Sequence, residues 1–226
     1  MVELLLLDLD DTILDFHKAE RVSIAKTLQF FGAEPTEPVL ARYHAINKWH
    51  WEQLEQGLIT REKLLVSRFS MLFDELEIKA DPDACSRHYM EQLASRHYFM
   101  PGAEMALESL QGKYRLFLVS NGTADVQRRR MESANLYRFF EDVFISQEIG
   151  VEKPSKLFFD RCFEKIPGFD AAKAMIAGDS LSSDMQGGRN AGIATCWVNP
   201  GKKPANETVD YVIEGIDQLP GLLELL

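Results

Sequence analysis

The stretch MVELLLLDLDDT, residues 1–12, decides the fold of this chain. Its leucine run, Leu4–Leu7, is followed at once by three aspartates, Asp8, Asp10 and Asp11. A short, continuous apolar run of this kind is typical of a strand buried on both faces, as in a parallel sheet. Carboxylates this close together repel one another, and their pKa values rise unless a positive charge holds them. The stretch therefore predicts a buried strand that ends in an acidic site containing a cation.

Length and composition are those of an ordinary soluble globular protein. A chain of 226 residues can hold one large domain, or a domain with a substantial insertion. The net charge of −10 disfavours polymeric nucleic acid as a partner, because binding to a phosphate backbone needs a basic surface. The first apolar run is too short to span a bilayer and lacks the basic flank of a signal peptide. The cysteines form no CxxC pair. We therefore expect a cytoplasmic protein with reduced thiols and no membrane contact.

Short apolar runs recur later in the chain, at Tyr114 to Ser120, Val143 to Ser146, Ala174 to Gly178, Ile193 to Val198 and Tyr211 to Ile213. Amphipathic segments lie between them, at residues 103–110, 124–136, 156–165 and 183–191. Apolar runs that alternate with amphipathic helices are typical of a parallel sheet with crossover helices. The pattern predicts an α/β fold, a Rossmann-like parallel-sheet core of three layers.

The segment between the first and second apolar runs predicts an inserted helical domain. A structureless loop of this length is implausible in a compact domain. Helical patterns cover residues 17–31, 38–56, 60–76 and 82–97, with Thr60 as an N-cap. Glycines and prolines fall between these helices. We expect a helical cap at residues 16–99, inserted into a core formed by residues 1–15 and 100–226.

The segments that follow the predicted strands are rich in polar residues: DLDDT at 8–12, SNG at 120–122, KPS at 153–155 and GDSLSSD at 178–184. In an open parallel sheet, ligands bind beyond the carboxyl ends of the strands. Carboxylate oxygens are ligands that Mg²⁺ prefers, whereas a lysine and helix N-termini bind phosphate. Taken singly, each segment is also typical of a turn or a helix start. Together they predict a site for Mg²⁺ and a phosphate group.

These four segments, in this order and across nearly the whole chain, resemble the four motifs of the haloacid-dehalogenase-like superfamily. The helical insertion after the first motif resembles the type I cap of that superfamily. The stretches YHAINKWHWEQLEQGLITREKLLVSRF, at 43–69, and GGRNAGIATCWVN, at 187–199, are similar to its nucleoside-monophosphate phosphatases, which include the pyrimidine 5′-nucleotidases.

The resemblance implies a two-step reaction at the first motif. Asp8 would be the nucleophile that attacks phosphorus and forms an aspartyl-phosphate. Asp10 would protonate the leaving alkoxide and later deprotonate the water that hydrolyses the intermediate. The resemblance also implies that Mg²⁺ is held by Asp8, by the backbone carbonyl of Asp10 and by Asp179.

The remaining motif residues would bind the phosphoryl group or support the residues around it. The resemblance implies that Ser120, the backbone N–H of Asn121 and Lys153 hold the phosphoryl oxygens. Asp184 could be a water-mediated ligand of the metal or could orient its neighbours, and the orienting role is the one expected for Asp184 and for Thr12.

The presence of Asp10 favours a phosphate ester as the substrate. Haloacid dehalogenases do not keep an Asp at this position, because their leaving group needs no proton. The resemblance therefore implies that the partner is a small phosphorylated metabolite, with a pyrimidine nucleoside monophosphate as the first choice. Three alternatives share the motifs: a phosphosugar or phosphoacid phosphatase, a phosphomutase, and a regulatory protein that binds a phosphate ligand without turnover.

Two further features concern helix faces. Tyr43, Asn47 and Trp51 recur four residues apart and share one face, which could stack on a base and read its edge. Tyr43 and Trp51 could equally belong to the core of the cap. The basic run Arg128–Arg130 lies where a crossover helix should face solvent, so we expect a surface role for it.

Overall fold

The computed structural model describes residues 1–204 and 208–226 of the chain. They form two compact units, one of Met1–Phe16 together with His97–Leu226, and one of His17–Arg96. The second unit is an insertion in the sequence of the first.

The first unit contains a six-stranded parallel sheet, which confirms the predicted α/β fold. Its strands are β1 (Leu4–Leu7), β2 (Arg115–Ser120), β3 (Asp142–Ile145), β4 (Ala174–Gly178), β5 (Ala194–Val198) and β6 (Tyr211–Ile213). The strand order is β3-β2-β1-β4-β5-β6, so β1 lies between β2 and β4. Leu7 is in register with Leu118 of β2 and Ala177 of β4. The residues that follow these three strands therefore emerge at the same edge of the sheet.

The leucines of β1 are buried on both faces of the sheet. Leu5 and Leu7 belong to one hydrophobic cluster, whereas Leu4 and Leu6 belong to another. Because side chains alternate along a strand, a continuous apolar run fills both clusters. This arrangement gives the predicted three layers.

The helices of the first unit flank the sheet. They are α5 (Ala103–Leu110), α6 (Ala124–Ser133), α7 (Ser146–Ile149), α8 (Lys156–Phe163), α9 (Gln186–Ala191) and α10 (Leu219–Leu223). Leu107 of α5 packs in the cluster of Leu5, and Phe158 of α8 packs in the cluster of Leu4.

The inserted unit contains four helices: α1 (Phe16–Phe30), α2 (Glu37–Glu55), α3 (Arg61–Leu76) and α4 (Pro82–Ala94). The first residue of α1, Phe16, still belongs to the first unit. Thr60 caps α3, since its hydroxyl accepts a hydrogen bond from the Lys63 N–H at 3.3 Å. Along the described ranges 1–204 and 208–226, no helix combines the length and the apolarity needed to cross a membrane.

The two segments that connect the units are paired with each other within the first unit. Leu14 and Phe99 form an antiparallel bridge. The Asp15 N–H donates to the Tyr98 carbonyl at 2.8 Å, and the Met100 N–H donates to the Ile13 carbonyl at 2.9 Å. The insertion therefore leaves and rejoins the first unit at adjacent backbone positions.

Candidate active site

Lys153 joins residues from three strand ends at one edge of the sheet. Its Nζ donates to Asp8 Oδ1 at 2.7 Å, to Asp184 Oδ1 at 2.6 Å and to the Val119 carbonyl at 3.0 Å. An ammonium group has three N–H donors, so each of these acceptors takes one. Lys153 is buried. Burial alone would lower its pKa, but the charges of Asp184 and Asp8 raise that pKa above its usual value. Lys153 is therefore a permanent positive charge within this acidic group.

Asp8, Asp179 and Asp184 form an acidic cluster, each offering one oxygen within 4.8 Å of the others. Burial raises the pKa of Asp8 to about 8; Lys153 opposes this shift, while Asp184 and Asp10 add to it. Burial, followed by the charges of Asp8 and Asp184, raises the pKa of Asp179 well above its usual range. The single ammonium of Lys153 does not compensate the negative charge of the cluster.

Asp184 is positioned by a π-helical turn, Leu181–Met185, which directly precedes α9. Its Oδ2 accepts a hydrogen bond from the Ser180 N–H at 3.1 Å, while Oδ1 faces Lys153. A Cβ on Gly178 would lie 2.3 Å from Asp184 Oδ2, so the glycine leaves the space that this carboxylate occupies. The helix predicted over residues 183–191 is present, but its first turn is π-helical rather than α-helical. A π turn has the same residue types as an α turn and differs only in its hydrogen bonds.

Asp10 is bound by two side chains of α6. Arg130 Nη1 donates to Asp10 Oδ1 at 2.5 Å, and Gln127 Nε2 donates to Asp10 Oδ2 at 2.6 Å. The Arg130 side chain is 0% exposed, whereas that of Asp10 is 27% exposed. The predicted surface role is therefore wrong for Arg130, although Arg128 and Arg129 of the same run do lie at the surface.

Sequence reasoning missed Gln127 and Arg130, although a signal was present. They are three residues apart on a helix that begins shortly after the SNG motif, so they share one face. Gln127, Arg130 and the apolar Met131 all lie on the buried side of α6. Reading the basic run as a unit concealed this face.

Ser120 ends β2 with its hydroxyl in a defined orientation. Its Oγ accepts hydrogen bonds from the Gly122 N–H at 3.1 Å and from Gln127 Nε2 at 2.9 Å. With both lone pairs used, the hydroxyl hydrogen must point toward another acceptor. A Cβ on Gly122 would lie 2.2 Å from Gln127 Nε2, so this glycine of the SNG motif makes room for Gln127.

Asn121 connects the second and third motifs through its side chain. Asn121 Nδ2 donates to the Lys153 carbonyl at 2.9 Å, and the Lys153 N–H donates to Asn121 Oδ1 at 2.8 Å. This reciprocal pair fixes the backbone of Lys153 beside the end of β2. The Asn121 side chain therefore holds the segment around Lys153 against the end of β2.

Asp11 and Thr12 complete the first motif. Asp11 has a left-handed backbone with φ of 56°, and its Oδ1 accepts a hydrogen bond from the Phe16 N–H at 2.9 Å, at the start of α1. Aspartate tolerates this conformation better than most residues do. Thr12 is fully buried, and its Oγ1 has no hydrogen-bond partner among the described residues.

The residue types around Asp8 fit a bound Mg²⁺ ion. Among the residues that the structure describes, four carboxylates, those of Asp8, Asp10, Asp179 and Asp184, share the two buried cations Lys153 and Arg130. Hard oxygen ligands of this kind suit Mg²⁺. Burial, together with the charges of the neighbouring carboxylates, raises the pKa values of Asp8 and Asp179, and a divalent ion would offset both effects.

The three candidate specificity residues lie on α2 of the inserted unit. Tyr43 is fully buried, with its ring centroid 5.4 Å from that of Phe69 and 5.5 Å from that of Tyr89. This is the core placement that the sequence also allowed, and it leaves the Tyr43 ring no exposed face on which a base could stack.

Asn47 and Trp51 make polar contacts within the same unit. Asn47 is buried; its Nδ2 donates to Glu20 Oε1 at 2.6 Å and its Oδ1 accepts from Arg68 Nη1 at 2.8 Å. Trp51 is partly exposed, and the guanidinium carbon of Arg61 lies 5.4 Å from the centroid of its ring. Of the three residues, Trp51 alone retains surface for a ligand.

Comparison with known proteins gives consistent matches along the chain. The haloacid dehalogenase-like hydrolase family model matches residues 5–198. The HAD-hydrolase YfnB of Bacillus subtilis (strain 168) is 36% identical over 223 residues, which cover 98% of this chain and 95% of YfnB. A crystal structure of YfnB bound to magnesium has a TM-score of 0.93 and covers 98% of both chains.

Two further relatives are named for an activity. The pyrimidine 5′-nucleotidase PynA of Streptococcus pneumoniae (strain ATCC BAA-255 / R6) is 36% identical over 197 residues, which cover 87% of this chain and 83% of PynA. The pyrimidine 5′-nucleotidase YjjG of Escherichia coli (strain K12) is 31% identical over 183 residues, which cover 80% of each chain.

Proposed function

The chain belongs to the haloacid dehalogenase-like hydrolases, and from this premise we propose that it is a Mg²⁺-dependent 5′-nucleotidase acting on pyrimidine nucleoside monophosphates. The observation that carries the proposal is the convergence of Asp8, Asp10 and Lys153 at the carboxyl edge of the sheet. An anionic nucleophile, an acid–base group and a fixed positive charge are the parts that phosphate transfer to a carboxylate needs.

In the first step, a carboxylate oxygen of Asp8 attacks phosphorus. The bond between phosphorus and the ester oxygen breaks, and Asp10 gives its proton to the leaving alkoxide. In the second step, Asp10 takes a proton from a water molecule, whose oxygen attacks the aspartyl-phosphate. Inorganic phosphate leaves, and Asp8 is restored as a carboxylate.

The phosphoryl group would be held by Ser120, the backbone N–H of Asn121 and Lys153. The Ser120 hydrogen is directed away from Gln127 and Gly122, which suits donation to a phosphoryl oxygen. Lys153 already donates three hydrogen bonds, so its main contribution is charge, and a direct bond to phosphate would replace one of them. Thr12 and Asp184 would support these groups from behind.

The acidic cluster would hold the metal through Asp8 and Asp179, together with the backbone carbonyl of Asp10. When bound, Mg²⁺ lowers the charge repulsion between the phosphate and the carboxylates and stabilises charge on the phosphoryl oxygens. The relative YfnB, crystallised with magnesium, supports this choice of ion.

The substrate class rests on the relatives PynA and YjjG, which are named as pyrimidine 5′-nucleotidases. We propose that the inserted unit, His17–Arg96, is the cap expected from the sequence and that Trp51 is its strongest candidate for a contact with the base. We propose that this cap sets the specificity for the substrate.

A panel of phosphate esters tests the proposal. With Mg²⁺ present, we expect kcat/KM for uridine and thymidine monophosphate to exceed that for purine mononucleotides and sugar phosphates about tenfold or more. Higher kcat/KM for sugar phosphates or phosphoacids would show that the protein is a phosphosugar or phosphoacid phosphatase and not a nucleotidase. Movement of phosphate between two positions of a sugar would indicate a mutase. If no ester releases phosphate, the remaining hypothesis is a regulatory protein that binds a phosphate ligand without turnover.

The Asp8→Asn variant serves as the control for the mechanism. It keeps the size of the side chain but removes the nucleophilic carboxylate, so we expect activity to fall to background on every ester. Parent-like activity of this variant, or full activity after thorough chelation, would contradict the mechanism.

A further inference from the structure

The side chains of Gln127 and Arg130 form a connected pair behind Asp10. Arg130 Nη1 donates both to Asp10 Oδ1, at 2.5 Å, and to Gln127 Oε1, at 2.8 Å. Gln127 Nε2 donates both to Asp10 Oδ2, at 2.6 Å, and to Ser120 Oγ, at 2.9 Å. The pair therefore contacts two groups of the site at once.

Arg130 fixes which way the amide of Gln127 faces. Its N–H groups can only donate, so the Gln127 atom next to Arg130 must be the oxygen. The amide nitrogen must then face Asp10 and Ser120. A glutamine that faced the opposite way would place two donors, or two acceptors, against each other.

This arrangement leaves Asp10 a single orientation. Each carboxylate oxygen has two lone pairs, and one on each oxygen accepts a bond from the pair. One lone pair on each oxygen is left over for a substrate, which can reach Asp10 because its side chain is 27% exposed. Proton transfer depends steeply on such alignment, because a displacement of about 1 Å can cost on the order of 100-fold in rate.

The ion pair between Arg130 and Asp10 differs from an ordinary surface ion pair because Arg130 is buried. Its side chain is wholly buried, and its guanidinium carbon lies 5.8 Å from the centroid of the Phe16 ring. Gln127 is likewise buried, and Gly122 lacks the Cβ that would collide with it. A buried cation is costly unless it is paired, so the pairing with Asp10 is a fixed part of this unit.

We propose that Gln127 and Arg130 are positioning residues that hold Asp10 and Ser120 in the relative geometry required to protonate the leaving group. The inference rests on the proposed phosphatase function. Gln127 links the acid–base group to the phosphate-binding hydroxyl, so that both are aligned on the same ester.

Two substrates with different leaving groups test this role in the Mg²⁺-loaded enzyme. Uridine monophosphate releases an alkoxide, which needs a proton, whereas p-nitrophenyl phosphate releases a stable aryl oxide, which does not. In Gln127→Met, we expect kcat/KM to fall about 100-fold with uridine monophosphate and less than about tenfold with p-nitrophenyl phosphate. We expect Arg130→Met to show the same selectivity, together with a lower Tm.

The control is Arg129→Met, in the same basic run. Arg129 is partly exposed and pairs with Asp125 one turn earlier on α6, so we expect parent-like kcat/KM with both esters. A second control places Gln127→Met in an Asp10→Asn background. The additional selective loss should vanish there, because Gln127 acts through Asp10.

The outcomes separate the two levels of the proposal. If Gln127→Met lowers kcat/KM equally with both esters, Gln127 has a structural role and the positioning role is wrong. The positioning role is also wrong if the selective loss persists in the Asp10→Asn background. A parent enzyme that hydrolyses neither ester would instead refute the phosphatase function itself.

Discussion

Lys153 Nζ lies 2.7 Å from Asp8 Oδ1, and the same nitrogen lies 2.6 Å from Asp184 Oδ1. One buried ammonium is thus shared by two carboxylates of an acidic site. Its position makes it both a structural and an electrostatic component of that site.

Replacement of Lys153 by methionine should destabilise the fold and abolish phosphatase activity. The change leaves two buried carboxylates without their shared cation, which costs about 3–5 kcal/mol of unfolding free energy. Urea denaturation in EDTA measures this loss. The double variant Lys153→Met/Asp184→Asn removes one of the unpaired charges, so it should recover part of the stability but none of the activity. An unchanged denaturation midpoint in the single variant would contradict this account.

Stability without metal should fall as the pH rises. The pKa of Asp8 is raised from 3.8 to about 8 by burial, and that of Asp179 is raised as well. A carboxyl group with a higher pKa in the folded state binds its proton more tightly there, so stability is lost as the pH rises toward the folded pKa.

Mg²⁺ should reverse this loss, because it binds the ionised carboxylates. We expect the increase in Tm caused by Mg²⁺ to be larger at pH 8 than at pH 6, measured by thermal unfolding against EDTA at constant ionic strength. Asp179→Asn is the matched variant, and it should lose most of the increase. An effect of equal size at both pH values, or a larger one at pH 6, would show that these carboxylates do not bind the ion.

A methyl group at Gly178 should displace Asp184. The added Cβ would lie 2.3 Å from Asp184 Oδ2 and 2.9 Å from its Cβ, so the carboxylate must move away from Lys153. We expect Gly178→Ala to lower stability by about 1–3 kcal/mol and to reduce kcat. Gly221→Ala is the control, since no described atom lies within 4 Å of its Cβ position, and its stability should stay within about 0.5 kcal/mol of the parent. Similar values for the two variants would refute the steric argument.

Asp11 should matter for the fold and not for the chemistry. Its carboxylate accepts a hydrogen bond from the Phe16 N–H and its backbone is left-handed. Asp11→Ala removes the acceptor and a residue that tolerates this conformation, so we expect a loss of about 1–2 kcal/mol with kcat unchanged. Asp11→Asn keeps both properties and should resemble the parent. A kcat decrease in both variants would place Asp11 in the reaction.

The sequence was sufficient to predict the sheet and the family resemblance, and both are confirmed. The leucines of β1 had to be buried on both faces, and four ordered motifs had to meet at one sheet edge. The roles assigned to Asp8, Asp10, Lys153 and Asp179 stay predictions, although the structure brings these residues together.

Other features depend on contacts that periodicity does not encode. Arg130 has the same chemistry as Arg128 and Arg129, and only its direction on α6 makes it a partner of Asp10. The π turn before α9 depends on hydrogen-bond register, which residue types do not specify. Asn47 shares a helix face with Trp51, but its amide is bound by Glu20 and Arg68 inside the unit.

The pairing of Leu14 with Phe99 affects the entropy of closing the chain between them. Relative to the sheet-containing unit, residues 17–96 are one loop, and the backbone pairing of Leu14 with Phe99 holds its two ends next to each other. The entropy of closing such a loop grows only with the logarithm of its length, so a doubling costs about 0.6 kcal/mol. A change in the length of this insert therefore costs little in loop-closure entropy for the folding of the sheet.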